Sequence, residues 1–157
     1  MVLTESLKKN NILLKPKSKN RWELIDEMID LAVRNRDIME EDRDSIVKAL
    51  TEREKSMSTG IGNGVAIPHC TSSRVEDIVT MISICHKGLD FDAIDNQPVK
   101  IVVLLLVPRN KLTQHIRTLA NIAKMMSDNL IREKLLGLKT QEGVLKLIKK
   151  YGTTAKK

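Results

Sequence analysis

The sequence predicts an α/β protein, one domain in which a β-sheet is covered by helices on both faces. Its 157 residues contain no repeat, low-complexity tract or Pro/Gly/Ser-rich linker, which favours a single domain over residues 1–157. Residues 101–107 are all apolar, as in a strand with both faces buried. Amphipathic helical patterns precede and follow the strand-like segments, so helices are expected on both sides of the sheet.

The first third of the chain predicts two helices. Residues 12–14 form a short apolar run that stops before Pro16, and Ser18 is then a candidate helix cap. Inward positions of this first helix, spaced three, four and three apart, are Trp22, Ile25, Ile29 and Ala32. A second helix is predicted over about residues 41–54, with acidic residues in its first turn. Its inward positions are Ile46, Val47 and Leu50.

Strand patterns occupy the middle of the chain. Residues 65–67 predict a short strand that ends at Pro68 and His69. Residues 78–85 are rich in β-branched side chains, and residues 100–107 form the second long strand. Between them, residues 88–98 read as a connecting turn.

The last third predicts three helices. The first starts near Thr113 and carries an apolar stripe formed by Ile116, Leu119, Ile122, Ala123 and Met126. A second spans about residues 128–136 and is closed by Gly137. Thr140 caps a third that ends near Lys150.

Composition excludes several classes of protein. Only 2% of residues are aromatic, which argues against binding single-stranded nucleic acid by base stacking. The longest apolar run, residues 101–107, is far shorter than the roughly 20 residues of a membrane-spanning helix. Residues 1–5 lack the pattern of an export signal. Cys70 and Cys85 are too few for a disulfide framework, so a reducing cytoplasm is the expected location.

The chain is basic, with 27 Lys and Arg against 20 Asp and Glu, a net charge of +7. Such a balance suits an acidic partner, whether nucleic acid, a membrane surface or an acidic protein. The basic residues are nevertheless dispersed, with no run of five or six like charges. A solvated basic surface is therefore favoured over nucleic-acid binding.

Residues 58–64 carry the strongest local signal, Ser-Thr-Gly-Ile-Gly-Asn-Gly. Glycines at alternate positions fit neither a helix interior nor an ordinary strand. The spacing is neither that of a Walker A loop nor that of a dinucleotide fingerprint. Bare backbone of this kind can turn successive N–H groups toward an anion, although a plain glycine-rich turn fits the pattern equally well.

Three side chains are candidates for chemistry. His69 follows Pro68, and a neutral imidazole is a competent nucleophile near pH 7. Arg53 extends the apolar stripe of the second helix, seven residues after Ile46, where a guanidinium would need an anion. His115 heads the stripe of a later helix, in a first turn whose dipole favours a neutral ring. Structural histidines and a solvated arginine remain the alternatives.

A zinc site is the competing hypothesis for the cysteines. His69–Cys70 and Cys85–His86 supply two cysteines and two histidines, the ligand set of a tetrahedral zinc site. Neighbours along a strand point to opposite faces, so adjacent pairs suit this geometry poorly. No metal site is therefore expected.

Residues 58–69 as a whole resemble the phosphorylation-site signature of fructose/mannitol-type enzyme IIA domains of the bacterial phosphotransferase system. Residues 91–99, Phe-Asp-Ala-Ile-Asp-Asn-Gln-Pro-Val, and residues 105–108 look closest to its nitrogen-regulatory member. The resemblance extends from about residue 13 to 148. It implies a mixed sheet between helices and a reaction that needs no metal or other cofactor.

The resemblance also implies the roles of the candidate residues. His69 would take a phosphoryl group from the phosphocarrier HPr or its nitrogen-branch counterpart, with His115 and Arg53 as the second active-site histidine and the active-site arginine. The implied phosphoryl-binding segment is Thr59, Gly60, Ile61, Gly62, Asn63 and Gly64. The ring nitrogen that reacts is not fixed by the pattern, although the family suggests Nε2.

Three functions follow as hypotheses. The favoured one is a regulatory phosphocarrier whose phosphorylation state alters its binding to target proteins. The second is a sugar-pathway donor that passes phosphate to a separate IIB protein. The third is a basic binding module with an unused histidine, for which steeply salt-dependent DNA binding would be the sign.

Overall fold

The structure, a computed structural model, describes residues 2–155 of the chain. The strands are β1 (Leu7–Leu13), β2 (Gly60–Gly62), β3 (Val65–Ala66), β4 (His69–Ser72), β5 (Val79–Leu89) and β6 (Val99–Pro108). The helices are α1 (Val2–Ser6), α2 (Arg21–Arg34), α3 (Arg43–Ser56), α4 (Leu112–Met126), α5 (Asn129–Gly137) and α6 (Gln141–Ala155). Single 3-10 turns precede α3 and α4.

All six strands belong to one mixed sheet, whose order is β1-β5-β6-β3-β2, with β4 also paired to β6. β6 runs parallel to β3 and β4 and antiparallel to β5. Because β3 and β4 both pair with β6, the short break between them lies at the centre of the sheet. The mixed sheet implied by the resemblance is confirmed.

Side chains of β6 alternate between two cores. Val102, Leu104 and Leu106 face the core formed with α2 and α3. Val103, Leu105 and Val107 face the core formed with α1, α4, α5 and α6. All six are fully buried. This alternation confirms a strand covered on both faces, with helices on both sides of the sheet.

The first predicted helix begins later than its proposed cap. Asn20, not Ser18, is the N-cap, and its side chain accepts a hydrogen bond from the Glu23 backbone N–H at 2.9 Å. The Ser18 hydroxyl donates instead to the Glu27 carboxylate at 2.5 Å. The bond to Glu27 therefore keeps Ser18 in the loop before the helix. Asn20, which lies three residues before the N–H that it binds, takes the N-cap position instead.

The other helices start close to their predicted positions, but α6 continues past Lys150 to Ala155, and Gly137 is the last residue of α5, with Leu138 as its C-cap. Ile116, predicted to lie on the inner stripe of α4, is exposed.

Asp128 accepts from Leu130 N at 2.9 Å at the start of α5, and Thr140 accepts from Gly143 N at 3.0 Å at the start of α6. The second helix starts two residues later than predicted, because residues 40–42 form a 3-10 turn. No helix within residues 2–155 combines the length and apolar character needed to cross a membrane.

The strand predictions need four corrections. Only the apolar end of β1 was predicted. Lys8, Lys9 and Asn10 are exposed on this edge strand, so its first half shows no apolar pattern. The glycine segment does contain a short strand, β2, paired antiparallel to β3. The prediction that strand structure ends at His69 is wrong, since β4 starts there, and β5 continues to Leu89.

Candidate functional site

His69 lies at the junction between β3 and β4, which both pair with the central strand β6. Pro68 separates β3 from β4, and its carbonyl accepts from Leu105 N at 2.9 Å. His69 is then the first residue of β4, in register with Leu105. The half-buried His69 is thus held by its backbone: Pro68 has a fixed φ, and the bond from Leu105 N to the Pro68 carbonyl fixes the residue before His69.

One hydrogen bond sets the tautomer of His69. Its Nδ1 lies 2.7 Å from the Ile67 carbonyl oxygen. A carbonyl oxygen only accepts, so Nδ1 carries the proton. In the neutral ring the lone pair is then on Nε2, which makes Nε2 the nucleophilic nitrogen.

His115 lies beside His69. The two ring centroids are 5.1 Å apart and the planes meet at 60°. His115 is 8% exposed and belongs to the first turn of α4, as predicted, although Lys111 rather than Thr113 is the N-cap residue. Residues 46 positions apart in the chain are thus brought into contact by the packing of α4 on the sheet.

Arg53 supplies a positive charge to the pair of histidines. It lies in the last turn of α3, half-buried, and its Nη1 donates to the Met57 carbonyl at 2.8 Å. Among the residues that the structure describes, no carboxylate forms an ion pair with it. Its charge nevertheless acts on both imidazoles. The guanidinium is therefore left without a counter-ion close to His69.

Both imidazoles are kept neutral. Burial lowers the pKa of His69 below its usual 6.5, and the positive charges of Arg53 and His115 lower it further, against the opposing hydrogen bond that His69 donates to the Ile67 carbonyl. Burial and then Arg53 lower the pKa of His115 in the same direction. At neutral pH the His69 lone pair is therefore available.

We expect both histidines to titrate below pH 6.5 in an NMR titration of their ring protons. Protonation is then confined to acidic solution, because a depressed pKa favours the neutral form at any higher pH. Replacing Arg53 with glutamine removes the positive charge, and both midpoints should rise. A wild-type midpoint at or above 6.5 for His69 would contradict this electrostatic description.

The glycine segment packs against the strand connection that leads to His69. Ile67 N donates to Thr59 O at 3.1 Å. Gly62, Asn63 and Gly64 have successive positive φ values of 96°, 57° and 76°. Only glycine adopts such values readily, which explains two of the three alternating glycines.

Several amides of the predicted anion-binding segment already have acceptors. Thr59 N donates to Glu54 at 2.8 Å, Gly60 N to the Ser58 hydroxyl at 3.0 Å and Asn63 N to Asp95 at 3.0 Å. These three would have to give up a partner to bind an anion. Ile61 and Gly62 lie in β2, which pairs with β3, so their amides belong to a strand ladder. Phosphoryl binding by the segment stays a prediction.

Residues 91–95 support the glycine segment from the other side. Ile94 N donates to Gly60 O at 3.2 Å, and the Ser58 hydroxyl donates to the Phe91 carbonyl. A Cβ at Gly60 would lie 2.7 Å from the Cβ of Ala93. Glycine is required there for close approach, so the two motifs of the sequence form one structural unit.

Sequence reasoning missed Glu54, a carboxylate that is 1% exposed. It accepts from Thr59 N at 2.8 Å and from the Thr59 hydroxyl at 2.5 Å, and Arg21 lies 3.4 Å away. Glu54 thereby ties the end of α3 to the start of the glycine segment. The signal was present, since Glu54 follows the inward Leu50 by four residues.

The cysteines lie apart from this chemistry. Cys70 and Cys85 are both buried and free, and burial raises their pKa values to about 12 and about 11. His86 is exposed, with Nε2 2.8 Å from the Leu136 carbonyl oxygen. Within residues 2–155, no group of three or more His, Cys, Asp or Glu side chains is placed to hold a metal ion.

Comparison with known proteins gives the family. Residues 5–151 match the phosphoenolpyruvate-dependent sugar phosphotransferase system family EIIA 2. A nitrogen regulatory protein of Pseudomonas aeruginosa is 35% identical over 113 residues, which are 72% of this chain and 73% of that protein. A fructose-specific EIIA component of Haloferax volcanii is 33% identical over 120 residues, 76% of this chain and 77% of that one.

The fold agrees with this relationship. The crystal structure of the nitrogen regulatory protein IIA-Ntr from Neisseria meningitidis superposes with a TM-score of 0.86 at 30% identity. The superposition covers 94% of this chain and 99% of the other. The chain therefore belongs to the EIIA type 2 family of the phosphotransferase system, whose members act as phosphoryl carriers.

Proposed function

We propose that His69 Nε2 accepts a phosphoryl group from the phosphohistidine of HPr or of its nitrogen-branch counterpart, and later passes it on or loses it. The observation that carries the proposal is the geometry of His69. Its Nδ1 is bound to the Ile67 carbonyl at 2.7 Å, which leaves the Nε2 lone pair facing a site that also contains His115 and an unpaired Arg53.

The transfer is a direct displacement at phosphorus. The Nε2 lone pair of His69 forms the new N–P bond while the N–P bond of the donor breaks, and that electron pair returns to the donor imidazole. No water takes part and no metal is needed. Such reactions depend on in-line positioning and on stabilising the charge of the three equatorial oxygens.

Two side chains would stabilise that charge. Arg53 offers guanidinium N–H groups that are not engaged by a carboxylate. A neutral His115 offers one ring N–H, and its ring centroid lies 5.1 Å from that of His69. Donors fixed by a folded site stabilise a developing anion more than water does, because they need no reorganisation.

The surface around the site suits a protein donor. Five large apolar side chains are exposed on the segments that build the site: Met57, Ile61, Ile94, Leu112 and Ile116. Exposed apolar side chains grouped on one surface are typical of a docking site. HPr is the proposed donor because a protein can cover this ring and exclude water while the phosphoryl group moves.

We propose that the phosphorylated protein has a regulatory role. We also propose that it acts in the cytoplasm and that the whole chain forms a single domain. Phosphorylation adds roughly −1.5 to −2 charges to this otherwise cationic and apolar surface, enough to recruit or reject a partner. Nitrogen regulatory proteins among the relatives support this role. A pull-down with the phosphorylated and unphosphorylated protein should capture different partners, and identical capture would contradict a switch.

A sugar-pathway role is the second candidate, because a fructose-specific EIIA component is 33% identical. In this case the phosphoryl group moves on to a separate IIB protein. Mixing the phosphorylated protein with fructose-type IIB separates the two roles. Loss of label within seconds to an equimolar amount of IIB favours sugar transport, and retention of label favours regulation.

Replacing His115 with alanine should slow phosphorylation by HPr about 10²- to 10³-fold, the usual effect of removing one donor to a developing anion. Some labelling should remain, because His69 is intact. The rate of label uptake in rapid-quench experiments measures the effect. Labelling at the wild-type rate would exclude His115 from the transfer.

A further inference from the structure

Two polar atoms on the inner face of α4 are buried without any hydrogen-bond partner. They are His115 Nδ1 and the Thr118 hydroxyl oxygen, and no other buried side-chain nitrogen or oxygen is so placed among the side chains that the structure describes. Thr118 is fully buried and His115 is 8% exposed. Folded proteins leave few such atoms, so two of them on one helix turn need an explanation.

The helix brings these two side chains together. Residues three apart lie on the same face, and helical side chains lean toward the N-terminus. Thr118 therefore leans over the turn that carries His115. A helical threonine usually gives its hydroxyl proton to a carbonyl three or four residues earlier, but the Thr118 hydroxyl makes no such bond. Its proton remains available.

We propose that Thr118 is a positioning residue: its hydroxyl donates to one bridging water, which in turn donates to His115 Nδ1, and so holds the His115 proton on Nε2. The catalytic meaning of this contact rests on the proposed function. Phosphoryl oxygens only accept hydrogen bonds, so His115 can stabilise them only through a ring N–H. With Nδ1 accepting from the bridging water, that N–H is the one on Nε2.

The opposite arrangement is less favourable. If His115 Nδ1–H donated to the water and the water donated to the Thr118 oxygen, the hydroxyl hydrogen and one water hydrogen would both be buried without an acceptor. A relay from the Thr118 hydroxyl through the water to Nδ1 leaves only one hydrogen unused, and native proteins tolerate unused acceptors better than unused donors. The choice of donor therefore follows from the burial of both groups.

The test is the tautomer of His115 in the unphosphorylated protein, read from the ¹⁵N chemical shifts of its ring at pH 7.5. Wild type should show the proton on Nε2. Thr118→Val keeps the shape and removes the hydroxyl, and should give a mixture of both tautomers. Thr118→Ser keeps the hydroxyl and should restore the wild-type shifts. Thr113→Val, at an exposed threonine of the same helix, is the matched control.

The rate of phosphorylation gives the second readout. Thr118→Val should be slower than wild type by about tenfold, as when an outer partner of an oriented histidine is lost. Thr118→Ser and Thr113→Val should match wild type. A wild-type His115 with its proton on Nδ1, or unchanged shifts in Thr118→Val, would overturn the proposal. Wild type that never accepts phosphate would refute the proposed function alone, because the tautomer is measured without phosphate.

Discussion

His69→Ala should abolish phosphorylation from phosphoenolpyruvate, enzyme I and HPr while the protein stays folded. Removal of the imidazole removes the only nucleophile that the account assigns. The half-buried side chain lies at the start of β4, and the bonds from Ile67 N to Thr59 O and from Leu105 N to Pro68 O do not depend on it. Radiolabel uptake measures the loss, and circular dichroism with thermal melting measures the fold.

His86→Ala is the matched control for this experiment. His86 is exposed and its Nε2 hydrogen-bonds to the Leu136 carbonyl, away from His69, so the variant should take up label at the wild-type rate. Label retained in His69→Ala, or lost in His86→Ala, would place the phosphoryl group on another residue.

Glu54→Ala should lower the free energy of unfolding by about 3 kcal/mol, because it leaves buried partners of a carboxylate unpaired. Thr59 is 5% exposed and loses the acceptor of both its N–H and its hydroxyl. Arg21 loses its ion pair but keeps the Phe91 carbonyl at 2.8 Å. Urea denaturation followed by fluorescence of Trp22 measures the change.

Glu52→Ala is the control, since its side chain is 67% exposed and lies 4.0 Å from Lys48. An exposed pair of this kind contributes about 0.5 kcal/mol or less. If Glu54→Ala costs no more than Glu52→Ala, the Glu54 network does not anchor the glycine segment.

Much of the fold could be predicted because its periodic segments are long. Residues 100–107 contain no charged side chain after Lys100, and this pattern predicted a strand buried on both faces. The structure places that strand, β6, at the centre of the sheet. Asp128 and Thr140 are caps whose bonds are made within three residues, so local sequence suffices for them.

Elements that depend on distant partners could not be predicted in this way. Ser18 is withdrawn from capping by Glu27, nine residues later in the chain. β4 starts directly after a proline and is held by pairing with β6, which no local pattern indicates. Spacing from Leu50 indicated an inward Glu54, but its partners Thr59 and Arg21 come from other elements and were not indicated.

The candidate site also combines features that local sequence predicts with features that only the tertiary structure shows. The signature around His69 is contiguous and could be read directly from the sequence. His115 and Arg53 come from α4 and α3, and spacing alone left a structural role open for each. Only packing places the two rings 5.1 Å apart, and only the Ile67 carbonyl shows which nitrogen is free.

Intact-mass spectrometry after incubation with phosphoenolpyruvate, enzyme I and HPr tests the main proposal most directly. The account predicts a gain of one phosphoryl group, stable in alkali and lost in mild acid, as for phosphate on an imidazole nitrogen. Fragment spectra should place it on His69. An unchanged mass, or a gain that survives acid, would contradict the assignment of this histidine as a phosphoryl carrier.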